Sequence, residues 1–391
     1  MKLLIAAGGT GGHIYPALAV AEEYLRRSAS HEVLFIASRH GMESCIIEQS
    51  AFLKGLAPRR HRVQFIPEVR FSRQLNLRSV FAPWVAIAAW WQSLWIIKNF
   101  GPQAILVTGG MSVLPVALAA YFLRTPVLVQ EQNVILGFTN RICSHFAKVI
   151  LLAFNETKRY FKSDRSLVVG NPVRANILQA QRADAVKHLG LSSDKVKVLV
   201  WGGSQGARAI NQVVLSIING GVPDNLEIIH IIGRRDFENV MHTIDPSVDP
   251  KALRDRQELL QIQRVPRYFL VDYLDDVSGV LAAADLVVGR AGATGLAEMI
   301  ARSLPGILIP FPYAADDHQR LNAQVLVNLG AAELLEEKDL SAAALLARIQ
   351  DLVLPERRLP MSQKMSELHF ADSAARVVDI IFEVSKNEAV T

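Results

Sequence analysis

The chain has 391 residues, half of them hydrophobic and 20% charged, with a formal net charge of +5. That length exceeds what one core usually serves and the apolar content excludes a disordered chain, so two globular domains are expected. The charge favours an anionic partner, whether nucleotide phosphate, nucleic acid or an acidic membrane surface, and two distant cysteines, Cys45 and Cys143, support neither a disulfide framework nor a zinc site.

The two cysteines make a reducing cytoplasm the default, and the first apolar run, LLIAA after Met1 and Lys2, is too short for a signal peptide and leads into glycines, so it reads as a first strand. The stretch KLLIAAGGTGGHIYPALAVAEEY (2–24) is then strand, glycine-rich turn and helix. Further apolar runs follow at EVLFIA, QAILVTGG, PVLVQEQN and KVILLAF. A Gly-Asn-Pro cluster in GNPVRANIL (170–178) breaks the pattern, and after a polar stretch the strand, glycine turn and helix recur as KVLVWGGSQGARAINQVVLSII (197–218). LEIIHIIG, YFLVDYL, DLVVGRAG and GILIPFP complete a second series.

Short β-branched runs alternating with helical stretches predict parallel strands buried on both faces. The expected fold is α/β, with two Rossmann-like doubly wound sheets facing a cleft. Domain limits are expected at 1–170 and 171–369, and the helical periodicity of ADSAARVVDIIFEVSKNEAV predicts a helix over about 370–391 that returns to the first domain.

Residues 54–78 hold Lys54, Arg59, Arg60, Arg62, Arg70, Arg73 and Arg78 against one acid, Glu68. Next comes VFAPWVAIAAWWQSLWII (80–97), uncharged, with four of the five tryptophans. Pro83, Gln92 and Ser93 interrupt it, and a lone span inside an α/β domain makes no architectural sense. A core helix with an amphiphilic outer face resting on an anionic leaflet is expected instead.

Glycine-rich turns before helices let backbone N–H groups and the positive helix end approach phosphate. Two such turns suggest a diphosphate-bearing ligand, although tight packing of helix on strand explains one such turn equally well. The dinucleotide fingerprint fails because Ile14 stands where its third glycine belongs, and the second strand ends on Ser38 and Arg39 instead of an acid. No phosphate-binding GxxxxGK[ST] loop occurs. In GRAGATGLAEMIARSLPGILIPFPYAADDHQRLNA, Thr294 and Gly295 open a helix. Glu298, one turn in, could accept two hydrogen bonds from a ribose diol or merely complement the helix dipole, and Gln319 could read sugar hydroxyls. The aspartate pairs 275–276 and 316–317 read as helix caps, and no DxD metal-diphosphate triplet is found.

Together GGTGGHIYPALAVAEE, EQN (131–133), GNPVR (170–174), GGSQGARAIN (202–211) and RAGAT…AE…PFPYAADDHQRLNA resemble the peptidoglycan N-acetylglucosaminyltransferases of the MurG family, over nearly the whole chain and in the same order. The resemblance implies an inverting B-type glycosyltransferase without metal or cofactor, moving N-acetylglucosamine from UDP-N-acetylglucosamine to the undecaprenyl-linked acceptor lipid I to form lipid II. It implies peripheral attachment to the anionic cytoplasmic face of the bacterial inner membrane and no nucleic acid partner. On matching positions, Ser204 and Arg174 would approach the donor phosphates and Leu274 the uracil through its backbone. Ala293, Thr294, Gly295, Leu296 and Ala297 would hold the diphosphate, Glu298 the ribose and Gln319 the N-acetylglucosamine. Thr10, Gly11, Gly12 and Asn133 would reach the sugar from the first domain. His13 would be the general base for the acceptor hydroxyl, with Glu131 its rival.

Three departures accompany the match. The family's GGYxSGP loop is GGMSVLP here (109–115), its HEQN is QEQN with Gln130 for histidine, and a second threonine of the diphosphate turn is Gly295. They leave open a related transferase with another lipid or small-molecule acceptor, or a non-catalytic nucleotide-sugar-binding protein of the cell-wall machinery.

Overall fold

The computed structural model describes residues 1–9, 11–38, 46–48, 50–57, 60–68, 77–161, 164–203, 206–261, 264–368 and 372–387. The chain forms two compact units, one of residues 1–174 with 370–391 and the other of residues 175–369.

The first unit holds a seven-stranded sheet in which every pairing is parallel. Its strands are β1 (Lys2–Ala7), β2 (Glu32–Ser38), β3 (His61–Ile66), β4 (Ala104–Gly109), β5 (Val127–Glu131), β6 (Val149–Leu152) and β7 (Ser166–Val168), in the order β3-β2-β1-β4-β5-β6-β7. Alternation along β1 feeds two cores. Leu3, Ile5 and Ala7 join the core under helices α1 (Gly11–Arg27) and α8 (Ser373–Asn387). Leu4 and Ala6 point the other way, into the core under α2 (Leu77–Phe100) and α3 (Val113–Phe122). Burial on both faces is why β1, β4 and β5 carry runs of consecutive apolar residues instead of alternating apolar and polar ones. The edge strand β3 is only partly covered, so HRVQFI carries the mixed pattern that hid it inside a basic run.

Chain reversal explains α8. Val377, Val378, Ile381 and Val384 pack into the α1 core, Phe382 lies 5.6 Å from Tyr24, and Arg27 pairs with Asp379 at 3.2 Å.

The second unit repeats the plan. Strands β8 (Val196–Trp201), β9 (Leu226–Ile231), β10 (Leu260–Gln261), β11 (Tyr268–Val271), β12 (Leu286–Gly289), β13 (Gly306–Leu308) and β14 (Ala332–Leu334) run in the order β10-β11-β9-β8-β12-β13-β14. All pair in parallel except the short β10, antiparallel on β11 at the edge. In both sheets the winding reverses beside the first strand, between β1 and β4 and between β8 and β12. Open α/β sheets bind ligands at such reversals, beyond the carboxyl ends of the strands.

Helix α2 divides its surface as the sequence suggests. Ala82, Ala89, Ser93, Ile96 and Ile97 are buried, whereas Trp84, Trp91 and Trp95 are 69%, 63% and 64% exposed. Among the described residues, no helix is long and apolar enough to cross a membrane.

Candidate active site

At the reversal of the first sheet, β1 ends in Gly8 and Gly9 and β4 in Gly109 and Gly110. The Gly8 N–H donates to the Gly109 carbonyl at 3.0 Å, and a β-carbon at Gly110 would lie 2.3 Å from the Gly8 oxygen. Glycines here let two chains approach closely. Helix α1 starts at Gly11, so His13 sits in its first turn beside the end of β4, with Gly11 buried and Gly12 and His13 half-buried. Thr10 and Ser204, two of the expected substrate residues, lie outside the described residues.

The EQN triplet follows β5, and each member has a different task. Glu131 is 1% exposed, and its carboxylate accepts four hydrogen bonds. They come from the Asn133 backbone N–H at 2.9 Å and side-chain amide at 3.2 Å, the Gly137 N–H at 2.9 Å, and the Asn140 amide at 2.9 Å. A carboxylate offers about four lone-pair sites, so Glu131 ties the 132–137 loop to helix α4 (Phe138–Cys143). Gln132, to which the sequence reading gave no role, is also 1% exposed and places Oε1 3.0 Å from His13 Nδ1. Asn133 is half-buried, and its backbone carbonyl accepts from the Thr157 hydroxyl at 3.2 Å.

The altered residues are accommodated locally. Met111 accepts a contact from the Thr139 hydroxyl at 3.4 Å. Gln130 is fully buried, and neither polar atom of its amide has a hydrogen-bond partner among the described residues. That is a cost for which the structure gives no compensation.

Arg174 closes the first unit with its guanidinium 4.5 Å from the Tyr15 ring centroid. Burial raises the Glu22 carboxyl above its ordinary range, and Arg26 and Arg174 oppose that rise.

At the reversal of the second sheet, β8 ends in Trp201, Gly202 and Gly203, and β12 leads through Arg290, Ala291 and Gly292 into helix α6 (Ala293–Ala301). Helix α5 (Arg208–Asn219) covers β8. Ala293, Thr294, Gly295 and Leu296 form the first turn of α6, followed by Ala297 and Glu298, the latter 3% exposed. The turn is braced from below. Arg290 donates to the Ile309 and Pro310 carbonyls at 3.1 and 3.0 Å and pairs with Glu337, and the Asn322 amide donates to the Ala291 carbonyl at 3.3 Å. A β-carbon at Gly295 would meet the Trp201 indole at 3.9 Å, an ordinary contact, so a threonine side chain there would abut that ring.

Gln319 lies in helix α7 (His318–Asn328), and its Oε1 accepts from the Phe311 N–H at 3.0 Å. Its amide nitrogen makes no hydrogen bond among the described residues. The aspartates before α7 do not cap it as expected. Asp316 and Asp317 both take left-handed backbone angles, φ 52° and 53°, and the Asp317 carboxylate turns to Arg320 at 3.6 Å instead of the helix N–H groups. Asp276 accepts from the Ser278 N–H at 2.9 Å, a turn contact made one residue ahead of the N-cap position, Val277. Leu274, 8% exposed, follows β11 in a segment held by Asp272, whose carboxylate accepts from the Tyr273 and Asp255 N–H groups at 2.7 and 3.1 Å.

The glycosyltransferase family 28 N-terminal domain matches residues 3–152 and the family 28 C-terminal domain residues 197–378. The UDP-N-acetylglucosamine–N-acetylmuramyl-(pentapeptide) pyrophosphoryl-undecaprenol N-acetylglucosamine transferase of Desulforamulus reducens is 35% identical over 94% of this chain and 94% of its own. The chain belongs to that transferase family. A second member, from Desulfitobacterium hafniense, is 35% identical over 98% of this chain and its own full length. The crystal structure of Acinetobacter baumannii MurG has a TM-score of 0.72 at 25% identity, covering 98% of this chain and 99% of that one. Both units are thus the α/β domains of a B-type glycosyltransferase.

Proposed function

We propose that the chain transfers N-acetylglucosamine from UDP-N-acetylglucosamine to the muramoyl C4 hydroxyl of lipid I, with inversion at the sugar, giving lipid II. The observation that carries this is the match to relatives of that name over nearly the whole of both chains.

The donor belongs to the second domain. Developing charge on a departing diphosphate is best stabilised by dipoles fixed in advance, and the first turn of α6, Ala293 to Leu296, with Ala297 behind it, supplies them at the sheet reversal. Glu298 accepts from the ribose hydroxyls. Gln319 spends its oxygen on the Phe311 N–H and so turns its amide protons to the sugar. The Leu274 backbone meets the uracil, and Arg174 pairs with the phosphates.

The acceptor belongs to the first domain, at the turn of Gly11 and Gly12 that opens α1 and at Asn133 after β5. His13 is the base and not Glu131, because each lone pair of the Glu131 carboxylate already has a donor. The hydroxyl oxygen forms its bond to the anomeric carbon as the bond to UDP breaks, the electron pair leaves on the diphosphate, and the hydroxyl proton passes to the imidazole.

A lipid-linked acceptor requires the enzyme to rest on the anionic cytoplasmic leaflet. Trp84, Ile87, Trp91 and Trp95 recur along one exposed stripe of α2, and Tyr121 and Phe122, 59% and 66% exposed, extend it through a Trp90–Phe122 contact of 5.4 Å. Tryptophan and tyrosine favour the headgroup level. The basic run contributes less than its sequence suggests: Arg60 is spent on the carbonyls of Leu25 and Ser28 and Arg62 on Glu32, while Arg59, Arg70 and Arg73 lie outside the described residues.

Incubation with UDP-N-acetylglucosamine and a lipid I analogue, with the product analysed by NMR, tests the reading. A β-linked disaccharide is expected. UDP release without transfer to that acceptor, or transfer with retention, would refute it.

A further inference from the structure

We propose that Gln132 is a positioning residue that sets the tautomer of His13, an inference that rests on His13 being the base. Gln132 is held at the carboxyl ends of β4 and β5 with its side chain buried. Its Nε2 donates to the Thr108 carbonyl at 2.8 Å and to the Gln130 carbonyl at 3.1 Å. An amide nitrogen has two protons, and both are used. Rotating the amide by half a turn would set its oxygen against two carbonyl oxygens, so the hydrogen-bond network admits one orientation.

Oε1 therefore faces His13 Nδ1, at 3.0 Å. That oxygen carries no proton, so the proton of the pair sits on Nδ1, which donates. A neutral imidazole has a single N–H, and Nε2 is left with its lone pair. This is the form that takes a proton from an attacking hydroxyl.

The bond also survives the reaction. When Nε2 gains the acceptor's proton, Nδ1–H still donates to Oε1, so the ring keeps its seat and its partner in both protonation states. A carboxylate at position 132 would orient the ring equally, but would add a negative charge that favours the cationic imidazolium and would oppose the two carbonyls that now receive the amide. An amide orients the base without that electrostatic bias. The chain of control runs from the Thr108 and Gln130 carbonyls through the Gln132 amide to Nδ1, and ends at Nε2.

The experiment has two arms. In protein labelled with 15N-histidine, the His13 resonances, assigned by their loss in His13→Gln, should show a protonated Nδ1 and an unprotonated Nε2 in the neutral ring. In Gln132→Met, which keeps length but lacks the acceptor oxygen, kcat should fall about tenfold or more with KM for UDP-N-acetylglucosamine unchanged. Gln132→Glu should move the acid limb of the pH–rate profile to higher pH, which a purely structural role would not do. A wild-type His13 protonated on Nε2, or a Gln132→Met enzyme with full kcat, would overturn the inference, and the first reading holds even if the variants do not fold. Full kcat in His13→Gln would instead remove the base assignment itself.

Discussion

A β-carbon at Gly109 would lie 2.7 Å from Cε1 and 2.8 Å from Nδ1 of His13, so the imidazole occupies the space that any other residue at position 109 would need. The backbone there has φ +121°, outside the range open to L side chains. Glycine is required twice over, once for the turn and once for the ring. Gly109→Ala should cost about 1–3 kcal/mol of stability and lower kcat at least tenfold, because the ring must leave its seat. Full kcat in a folded Gly109→Ala enzyme would show that the seat is not needed.

Glu131 should behave as a structural anchor. Glu131→Leu leaves four N–H donors without their acceptor, and buried unsatisfied donors cost about 1–3 kcal/mol each when they cannot find water. A loss of about 3 kcal/mol or more is expected in urea unfolding. Glu131→Gln should retain the wild-type shape of the pH–rate profile in whatever activity remains, since proton transfer stays with His13.

The second domain carries a pH-dependent element of stability. His230 is fully buried on β9, with Tyr268 Oη 2.8 Å from Nδ1 and Asn211 Oδ1 2.9 Å from Nε2, and burial pushes its imidazole down to about 3. The folded state holds it neutral. An unfolded chain takes up a proton below about pH 6.5, so between that value and about 3 the unfolded state binds more protons and stability decreases as the pH is lowered. The contribution approaches about 1.4 kcal/mol per pH unit well inside that window and vanishes above it. Urea unfolding at pH 7, 6, 5 and 4 should show a shallower pH dependence for His230→Gln than for wild type. Parallel curves would show that His230 titrates alike in both states.

The exposed stripe of α2 is open to a direct assay. Replacing Trp84, Trp91 and Trp95 together with serine should weaken cosedimentation with anionic vesicles at low salt at least tenfold, while kcat on a soluble, short-chain acceptor stays unchanged. These side chains are already exposed, so the fold loses little. Unaltered vesicle binding would place the membrane contact elsewhere.

Much of this architecture is legible in the residues because parallel strands buried on both faces announce themselves as apolar runs. β3 was not, since an edge strand needs only one covered side, and β14, AEL, is too short to carry a pattern. Helix α2 showed its tryptophans but not their division into a half-buried Trp90 and three exposed neighbours, which depends on where the helix lies on the sheet. His13 stood out as an imidazole ending a glycine turn. Gln132 did not, because its meaning comes from two carbonyls on different strands that only the folded chain brings to its amide. The aspartates 316 and 317 misled for a related reason. Their residue type suits a cap, but left-handed backbone angles at both positions turn the carboxylate of Asp317 to Arg320.

The most direct test of the account is kcat for His13→Gln at saturating UDP-N-acetylglucosamine and lipid I analogue, with UDP affinity measured on the same protein by calorimetry. General-base catalysis contributes about 10²–10⁴ in rate, so kcat should fall by that order while UDP affinity stays within about twofold, as expected of a donor site built by the second domain. Wild-type kcat in His13→Gln would contradict the assignment of the base and, with it, the reading of the turn that ends on His13.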